Sequence, residues 1–328
     1  MVSQGLLQRA AASFQFDVKT LMFISNSSNE VYRFTRNDRP YILRLSEKPL
    51  EHADRIKAEV DWVHFLAENG VRASLPIQTT DHQWTAVYKE KDTSYIATAF
   101  HMASGRFFDK NNPQLWGPDI FGKWGEVMGR MHQLTQSYGS SDQLVNRDAW
   151  ITLSIENPYL QQGHYQILLE KLRALEQTII ALPKDVHSYG LIHNDFHPYN
   201  FHIDGGDITV FDFDDSIYGW FALDIGIAAA HAVWWGSPKE DRKSKNEFAQ
   251  RFLNEFLKGY FKNNHLDEYW IRKIPMFMDY RNICSFFWWL SRWDGDESHL
   301  SEHQKNAMVH AVELIHNDLP FDGCNIVI

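Results

Sequence analysis

The sequence has little cysteine and no long hydrophobic run. Cys284 and Cys324 are the only two cysteines in 328 residues, which is too few for a disulfide framework. No apolar stretch reaches the roughly 18 residues that a membrane-spanning helix needs. The start, MVSQG, lacks the basic and apolar segments of a secretory signal. These absences predict a cytoplasmic protein that has no membrane partner.

Positive charge is also in short supply. The chain has 32 Lys and Arg against 42 Asp and Glu, for a formal net charge of −10. Nonspecific nucleic-acid binding is driven by cationic contacts to phosphates, so this balance argues against a nucleic-acid partner. Core-forming residues are plentiful, since 44% of the chain is hydrophobic. The length suits two domains or one two-lobed unit.

One stretch carries most of the chemistry. Residues 190–202 read GLIHNDFHPYNFH, and a turn, DGGD, follows at 204–207. The strand-like run ITVF at 208–211 then leads into DFDD at 212–215. This pattern predicts a β-hairpin with a His-x-Asp-x-x-x-x-Asn loop before it and an acidic cluster after it.

These residue types suit phosphoryl transfer. The reaction needs a carboxylate that orients and deprotonates the attacking hydroxyl, and oxygen ligands for Mg²⁺. Asp195 is the candidate catalytic base, and Asn200 and Asp212 are the candidate metal ligands. His193 precedes the base by two positions, where its ring can brace the loop. We therefore predict that these acids hold Mg²⁺ and a nucleotide.

A zinc site is the alternative interpretation of the same stretch. His193, Asp195, His197 and His202 are ligand types that Zn²⁺ accepts. Alternation along an extended segment would place the first three on one side. This alternative leaves the spacing of Asn200 and Asp212 unexplained.

The paired motifs resemble those of the aminoglycoside phosphotransferase and choline kinase family, which includes homoserine-kinase-like and bacterial stress kinases. The similarity is sharp over residues 190–226, and His197 distinguishes this family from the protein kinases. The resemblance implies ATP and Mg²⁺ as cofactors. It also implies an α+β, two-lobed, protein-kinase-like fold. A small antiparallel β-rich N-lobe would span residues 1–100, and a larger, mostly helical C-lobe would span 101–328.

The resemblance also implies roles for N-lobe residues. Arg44, a cation within the apolar strand 41–45, corresponds to the residue that holds the non-transferred phosphates, and Glu59 would pair with it. The polar turn at Ser27, Ser28 and Asn29 would bring backbone N–H groups to the phosphates, unless it is an ordinary hairpin turn.

Further roles follow for the segment after the N-lobe and for the C-lobe. The backbone of His101 or Ala103 would contact the adenine edge. Asp224 would receive backbone N–H groups of the catalytic loop. Residues on the C-lobe helices would contact the substrate, and the candidates are Tyr280, Arg281, Trp289 and Asp294.

The short gap after the acidic cluster bears on the acceptor. Only twelve positions separate Asp212 from Asp224, which leaves no room for a long activation segment. This favours a kinase of small hydroxyl compounds such as an amino sugar, an amino alcohol, homoserine or a sugar. A bacterial stress-type Ser/Thr protein kinase and a catalytically silent nucleotide-binding protein are the alternatives. The sequence leaves the oligomeric state open.

Overall fold

The computed structural model of the protein describes residues 2–90, 93–138, 147–161 and 163–327. Internal contacts divide the chain into two compact units. The first unit comprises Met1–Phe107, Ser137–Asp148 and Tyr199–Ser216; the second comprises Phe108–Gln136, Ala149–Pro198 and Ile217–Ile328. The division into lobes 1–100 and 101–328 stays a prediction, because the contact-defined units interleave along the chain.

The described strands are β1 Met22–Asn26, β2 Glu30–Arg36, β3 Arg39–Glu47, β4 Pro76–Ile77, β5 Ala86–Glu90, β6 Thr93–His101, β7 Tyr189–Ile192, β8 Phe201–Asp204, β9 Asp207–Val210 and β10 Ile217–Trp220. The α-helices are α1 Gln4–Phe14, α2 Ala53–Glu68, α3 Pro118–Thr135, α4 His164–Ile180, α5 Phe221–Gly236, α6 Arg242–Tyr260, α7 Glu268–Ile271, α8 Ile274–Leu290 and α9 Glu302–His316. None of the helices in the described part of the chain combines the length and apolar character that crossing a bilayer requires.

The first unit is built on an antiparallel sheet with strand order β1-β2-β3-β6-β4, and β5 pairs with β6. Ser3 caps the N-terminus of helix α1, and its side chain accepts a hydrogen bond from the Leu6 N–H. Its apolar face, with Leu6 and Phe14, packs into a core shared with Phe34 and Leu43 of the sheet. The antiparallel β-rich prediction for this part of the chain is confirmed.

The β8–β9 hairpin also belongs to the first unit. Residue Ala73 forms a parallel bridge with Val210, and Arg106 forms an antiparallel bridge with Ile203. A Cβ at Gly105 would lie 2.2 Å from the Ile203 carbonyl oxygen, and Gly105 has φ +91°. The chain passes so close to the hairpin at this position that only glycine fits.

The second unit is mainly helical, as predicted. The sequence predicts one helix over 266–293, but the structure has α7 and α8 instead. Pro275 lies in the first turn of α8. Proline lacks an N–H and cannot donate to the carbonyl oxygen of Ile271, so the helix is interrupted and restarts as α8.

Helices α3 and α6 meet through glycines. A Cβ at Gly259 would lie 1.8 Å from the Gly122 carbonyl oxygen, and a Cβ at Gly125 would lie 1.9 Å from the Phe256 carbonyl oxygen. The backbones of the two helices therefore touch without intervening side chains. A Cβ at Gly122 itself has no neighbour closer than 3.6 Å.

We expect Gly259→Ala to lower the free energy of unfolding of the protein by about 1–3 kcal/mol, because the added methyl group overpacks the α3–α6 contact. Urea denaturation followed by circular dichroism measures this change. Gly122→Ala is the matched control, since the same methyl group has room there and alanine favours the helix. Equal stability of the Gly259→Ala variant and the wild type would show that the helices can separate at no cost.

Candidate active site

The β8–β9 hairpin brings the two predicted metal ligands to one end. Phe201 pairs with Val210, and the Phe211 N–H donates to the Asn200 carbonyl oxygen over 2.9 Å. Asp212 follows Phe211 directly, so Asn200 and Asp212 both lie just beyond the last paired residues. Asp212 has φ 65°, a left-handed conformation that aspartate tolerates better than most residues.

A second carboxylate, Asp214, accompanies Asp212. Desolvation and the neighbouring Asp214 carboxylate raise the pKa of Asp212 well above its usual range. Desolvation acts on Asp214 in the same direction. The Arg44 charge and a 2.9 Å hydrogen bond from the Asn29 side chain outweigh it and lower the pKa of Asp214. Two carboxylates held this close favour a bound cation.

The predicted pair of Arg44 and Glu59 is present. Arg44 Nη1 and Nη2 donate to the two oxygens of Glu59, each over 2.8 Å. Both side chains are buried, and Arg44 Nη1 lies 4.0 Å from Asp212 Oδ1. The two-bond geometry fixes the guanidinium group from the helix α2 side. Its contact with a nucleotide stays a prediction.

The polar turn between β1 and β2 divides into two parts. Ser27 and Ser28 are exposed, whereas Asn29 is buried. The Asn29 side chain donates to Asp214 and accepts from the Ser46 hydroxyl over 2.6 Å. Asn29 therefore ties the turn to the acidic cluster, and the exposed serines are left as the phosphate-contact candidates.

Two of the backbone groups near the predicted adenine contact already have partners. The His101 N–H donates to the Leu75 carbonyl over 2.8 Å, and the Ala103 carbonyl contacts His202 Nδ1 at 3.0 Å. A base edge would have to use other backbone groups of His101 or Ala103. Their role in adenine binding stays a prediction.

In the second unit, a buried carboxylate anchors the loop after β7. Asp224 accepts the backbone N–H groups of His193 over 3.1 Å and Asn194 over 2.8 Å. The predicted contact of Asp224 with the loop backbone is therefore present. Asn194 has φ 65°, so the chain reverses just before Asp195.

The same carboxylate begins a buried polar chain. His132 Nε2 lies 3.0 Å from Asp224 Oδ2, and His132 Nδ1 lies 2.9 Å from the Tyr260 hydroxyl. Asn264 donates to that hydroxyl over 2.8 Å. Asp224 Oδ2 accepts a hydrogen bond from Nε2–H, which leaves Nδ1 to accept from the Tyr260 hydroxyl. His132 is thus a buried histidine whose two ring nitrogens both have partners.

Asp195, the predicted base, has a cation and a histidine as partners. Arg281 Nη2 donates to Asp195 Oδ1 over 2.6 Å, and His197 Nε2 lies 3.2 Å from Asp195 Oδ2. Burial acts in the opposite direction, but His197 and Arg281 hold the pKa of the Asp195 carboxyl below its usual range. The carboxylate is therefore ionised at neutral pH and able to accept a proton.

The zinc alternative loses its geometric basis. The left-handed Asn194 breaks the extended alternation that would place His193, Asp195 and His197 on one side. Among the residues that the structure describes, the cluster with ligand atoms within 4.8 Å of one another is Asp195, His197 and His231. Arg281 lies against two of its members, with Nε 3.0 Å from His231 Nε2. His193 and His202 are not members of this cluster.

The other predicted substrate contacts are dispersed. Tyr280 is buried and packs edge-on against Trp150. Trp289 contacts the rings of Phe286 and His303. Asp294 is exposed and accepts the Asp296 N–H over 3.1 Å, as a turn-forming aspartate does. Of the four candidates, Arg281 is the one that contacts the predicted base.

Sequence reasoning missed His231 and Arg147. His231 lies on α5 beside Arg281, but a histidine in an apolar helix gives no sign of its partner. Arg147 donates to the backbone carbonyl oxygens of Asp214 and Ser216, and no motif surrounds it. Asp214 was named, but Asp214 and Asp215 could not be ranked; the contact with Asn29 now separates them.

Comparisons with known proteins agree with this arrangement. The chain matches the model of the family described as "Phosphotransferase enzyme family" over residues 20–269. Amicoumacin kinase of Bacillus subtilis (strain 168) is 30% identical over 287 residues, which cover 86% of this chain and 83% of that protein.

Solved structures give the same result. An amicoumacin kinase in complex with AMP-PNP, Ca²⁺ and the compound designated Ami has a TM-score of 0.85 and 28% identity, with 98% of this chain and 95% of that chain covered. A microcompartment-associated aminopropanol kinase has a TM-score of 0.76 and 18% identity, with 98% and 99% covered. Spectinomycin phosphotransferase APH(9)-Ia, solved with ADP and spectinomycin, has a TM-score of 0.59 and 14% identity, with 99% and 96% covered. The last two likenesses show the fold alone.

These findings confirm a protein-kinase-like α+β fold and the predicted family. They also confirm a kinase with a hydroxyl acceptor that acts on small molecules and uses ATP and a divalent metal ion. The chain belongs to the phosphotransferase enzyme family.

Proposed function

We propose that the chain transfers the γ-phosphate of ATP to one hydroxyl group of a small molecule, with Asp195 as the base. A bond forms between the acceptor oxygen and the γ-phosphorus, the bond from that phosphorus to the bridging oxygen of ADP breaks, and Asp195 receives the hydroxyl proton. The observation that carries this proposal is the ionised Asp195 on a loop whose backbone is tied to buried Asp224.

Asn200 and Asp212 are the proposed ligands of Mg²⁺. Their side chains offer oxygen atoms, which hard divalent cations prefer. The raised pKa of Asp212 beside Asp214 is the observation that favours a cation here, since positive charge would relieve the repulsion between the two carboxylates. When bound there, Mg²⁺ would supply positive charge that neutralises the phosphate oxygens of ATP.

Arg44, held by Glu59, is the proposed contact of the non-transferred phosphates. Its burial and its two bonds to Glu59 support this role, because a guanidinium group fixed in advance loses little entropy when a phosphate binds. The backbone at Ser27 and Ser28 is proposed to approach the same phosphates. His193 and His197 are proposed to support the loop rather than to react.

The acceptor is proposed to be a small molecule rather than a protein or a nucleic acid. Strand β10 begins at Ile217, five positions after Asp212, and α5 follows at once. These elements leave no segment on which a substrate peptide could lie. Amicoumacin is the first acceptor to test, because the 30% identical relative is an amicoumacin kinase. A cytoplasmic location, where ATP is available, is part of this proposal.

We expect Asp195→Asn to lower kcat by about 10²- to 10⁴-fold while the protein still binds ATP, because an amide cannot accept the hydroxyl proton. A coupled assay of ADP release measures kcat, and calorimetry measures ATP affinity. Asp267→Asn, at an exposed aspartate before α7, is the matched control. Full turnover by the Asp195→Asn variant would remove Asp195 as the base.

We expect Asp212→Ala to abolish the Mg²⁺-dependent part of the thermal stabilisation that ATP gives. Of the two proposed metal ligands, Asp212 is the one with a carboxylate, and the variant removes it. Melting curves with ATP in the presence of Mg²⁺ or EDTA measure this part. Asp215→Ala, at another exposed aspartate of the same cluster, is the control. Equal Mg²⁺-dependent stabilisation of the Asp212→Ala variant and the wild type would contradict the assignment.

A further inference from the structure

Arg281 contacts both the proposed base and a buried histidine. Its Nη2 donates to Asp195 Oδ1 over 2.6 Å, and its Nε donates to His231 Nε2 over 3.0 Å. The Arg281 side chain is 28% exposed, so it is only partly buried beside Asp195. Two contacts on different atoms fix the plane of the group next to the base.

The surroundings of Asp195 carry no excess of negative charge. Burial and the Arg281 charge lower the pKa of His231 well below its usual range, so this ring is neutral at neutral pH. Because Arg281 donates to Nε2, the ring proton of His231 is on Nδ1. The Arg281 charge therefore balances the Asp195 charge, and the neighbouring rings of His231, Trp234 and Trp235 add none.

Arg281 has donors to spare. A guanidinium group has five N–H donors. The contacts with Asp195 and His231 account for two of them, and within the described ranges no other residue accepts a hydrogen bond from this side chain. A group with this geometry matches the paired oxygens of a carboxylate or a single carbonyl oxygen. An acceptor ammonium group at the same place would instead meet a like charge.

On the basis of the proposed function, we infer that Arg281 is a specificity-determining residue. It receives a carboxylate or carbonyl oxygen that the acceptor carries near its reacting hydroxyl group. The substrate class is then a hydroxy acid, hydroxy amide or hydroxy ester rather than a purely cationic amino alcohol or amino sugar. His231 is the positioning residue, because its Nε2 holds the Nε side of Arg281.

Two other roles for Arg281 make different predictions. A residue that stabilises the transferred phosphoryl group would affect kcat equally for every acceptor. A residue that only holds Asp195 in place would do the same and would also lower the melting temperature. A residue that recognises an acceptor oxygen affects KM, and only for acceptors that carry that oxygen.

The experiment uses two pairs of acceptors that differ by one carboxylate. L-threonine is compared with 1-amino-2-propanol, and L-homoserine with 3-amino-1-propanol. We expect the wild type to favour the carboxylate member of at least one pair by about 10- to 100-fold in kcat/KM, mainly through KM. In Arg281→Gln this ratio falls to within about threefold of unity, and Arg281→Lys gives an intermediate ratio because one ammonium group cannot replace a planar pair of donors.

The control is Arg272→Gln, which removes an exposed arginine that pairs with Glu268. It should retain the wild-type ratio. Equal kcat/KM within each pair in the wild type would overturn the inference, and so would an equal loss for all four acceptors in Arg281→Gln. If none of the four compounds is phosphorylated, the thermal stabilisation that each compound gives in the presence of AMP-PNP is measured instead. Carboxylate-dependent stabilisation that is lost in Arg281→Gln supports the inference, and its absence in the wild type overturns it.

Failure of the proposed function gives a different result. In that case neither amicoumacin nor any of the four compounds is phosphorylated, and Asp195→Asn leaves the rate of ADP release unchanged. Phosphorylation of amicoumacin that depends on Asp195, together with no carboxylate preference, would leave the function intact and remove the role of Arg281.

Discussion

The buried carboxylate of Asp224 is the constraint on which the second unit depends. A charge without solvent is costly unless several donors surround it. Two backbone N–H groups and His132 supply these donors. Asp224 lies in the first turn of α5, where a negative charge also interacts favourably with the helix dipole. The loop that carries Asp195 therefore cannot move independently of the helix.

Helix α5 extends this constraint to the surroundings of the base. His231 follows Asp224 by about two helical turns, and residues at that separation share a face. The face that holds the loop backbone through Asp224 thus also holds Arg281 through His231. One buried helix thus contacts both the loop of Asp195, the proposed base, and its cationic partner Arg281, through Asp224 and His231, the two polar residues of an otherwise apolar helix.

Both motifs contain one residue in the left-handed region, Asn194 and Asp212. Such a conformation costs about 1–3 kcal/mol at most residue types and less at Asn and Asp, and it persists only where neighbours enforce it. The side chains that enforce the two turns carry opposite charges. Asp224 accepts the N–H groups of the first turn, whereas Arg147 donates to the carbonyl oxygens just after Asp212. Asp195 and Asp212 thus each lie at a turn whose backbone is held by a charged side chain, the buried Asp224 for the first and the partly buried Arg147 for the second.

The difference between local spacing and distant contacts explains what could be predicted from the sequence. The spacing of Asp195, Asn200 and Asp212 is local, so a hairpin with a loop and an acidic cluster could be read from 26 consecutive residues, 190–215. The contacts that Arg147, His231 and Arg281 make with these motifs could not be predicted, because the three residues are distant in sequence and lie in no recognisable pattern. Arg44 and Glu59 could be paired only through the resemblance to a family. The break before α8 was visible as Pro275, but apolar periodicity on both sides of it favoured one long helix.

The charges of the two units also lead to different requirements. In the first unit, Asp212, Asp214 and Glu59 lie near Arg44, Arg147 and Arg55, and the Asp214 carboxylate raises the pKa of Asp212. A divalent cation at the proposed metal site would relieve this repulsion. In the second unit, Asp195 and Arg281 balance each other, and burial and Arg281 keep His231 neutral. The proposed recognition of the acceptor in that unit therefore rests on where the Arg281 donors point and not on the net charge of −10. A protein with a negative net charge need not select a cationic substrate when an arginine lies beside its proposed base.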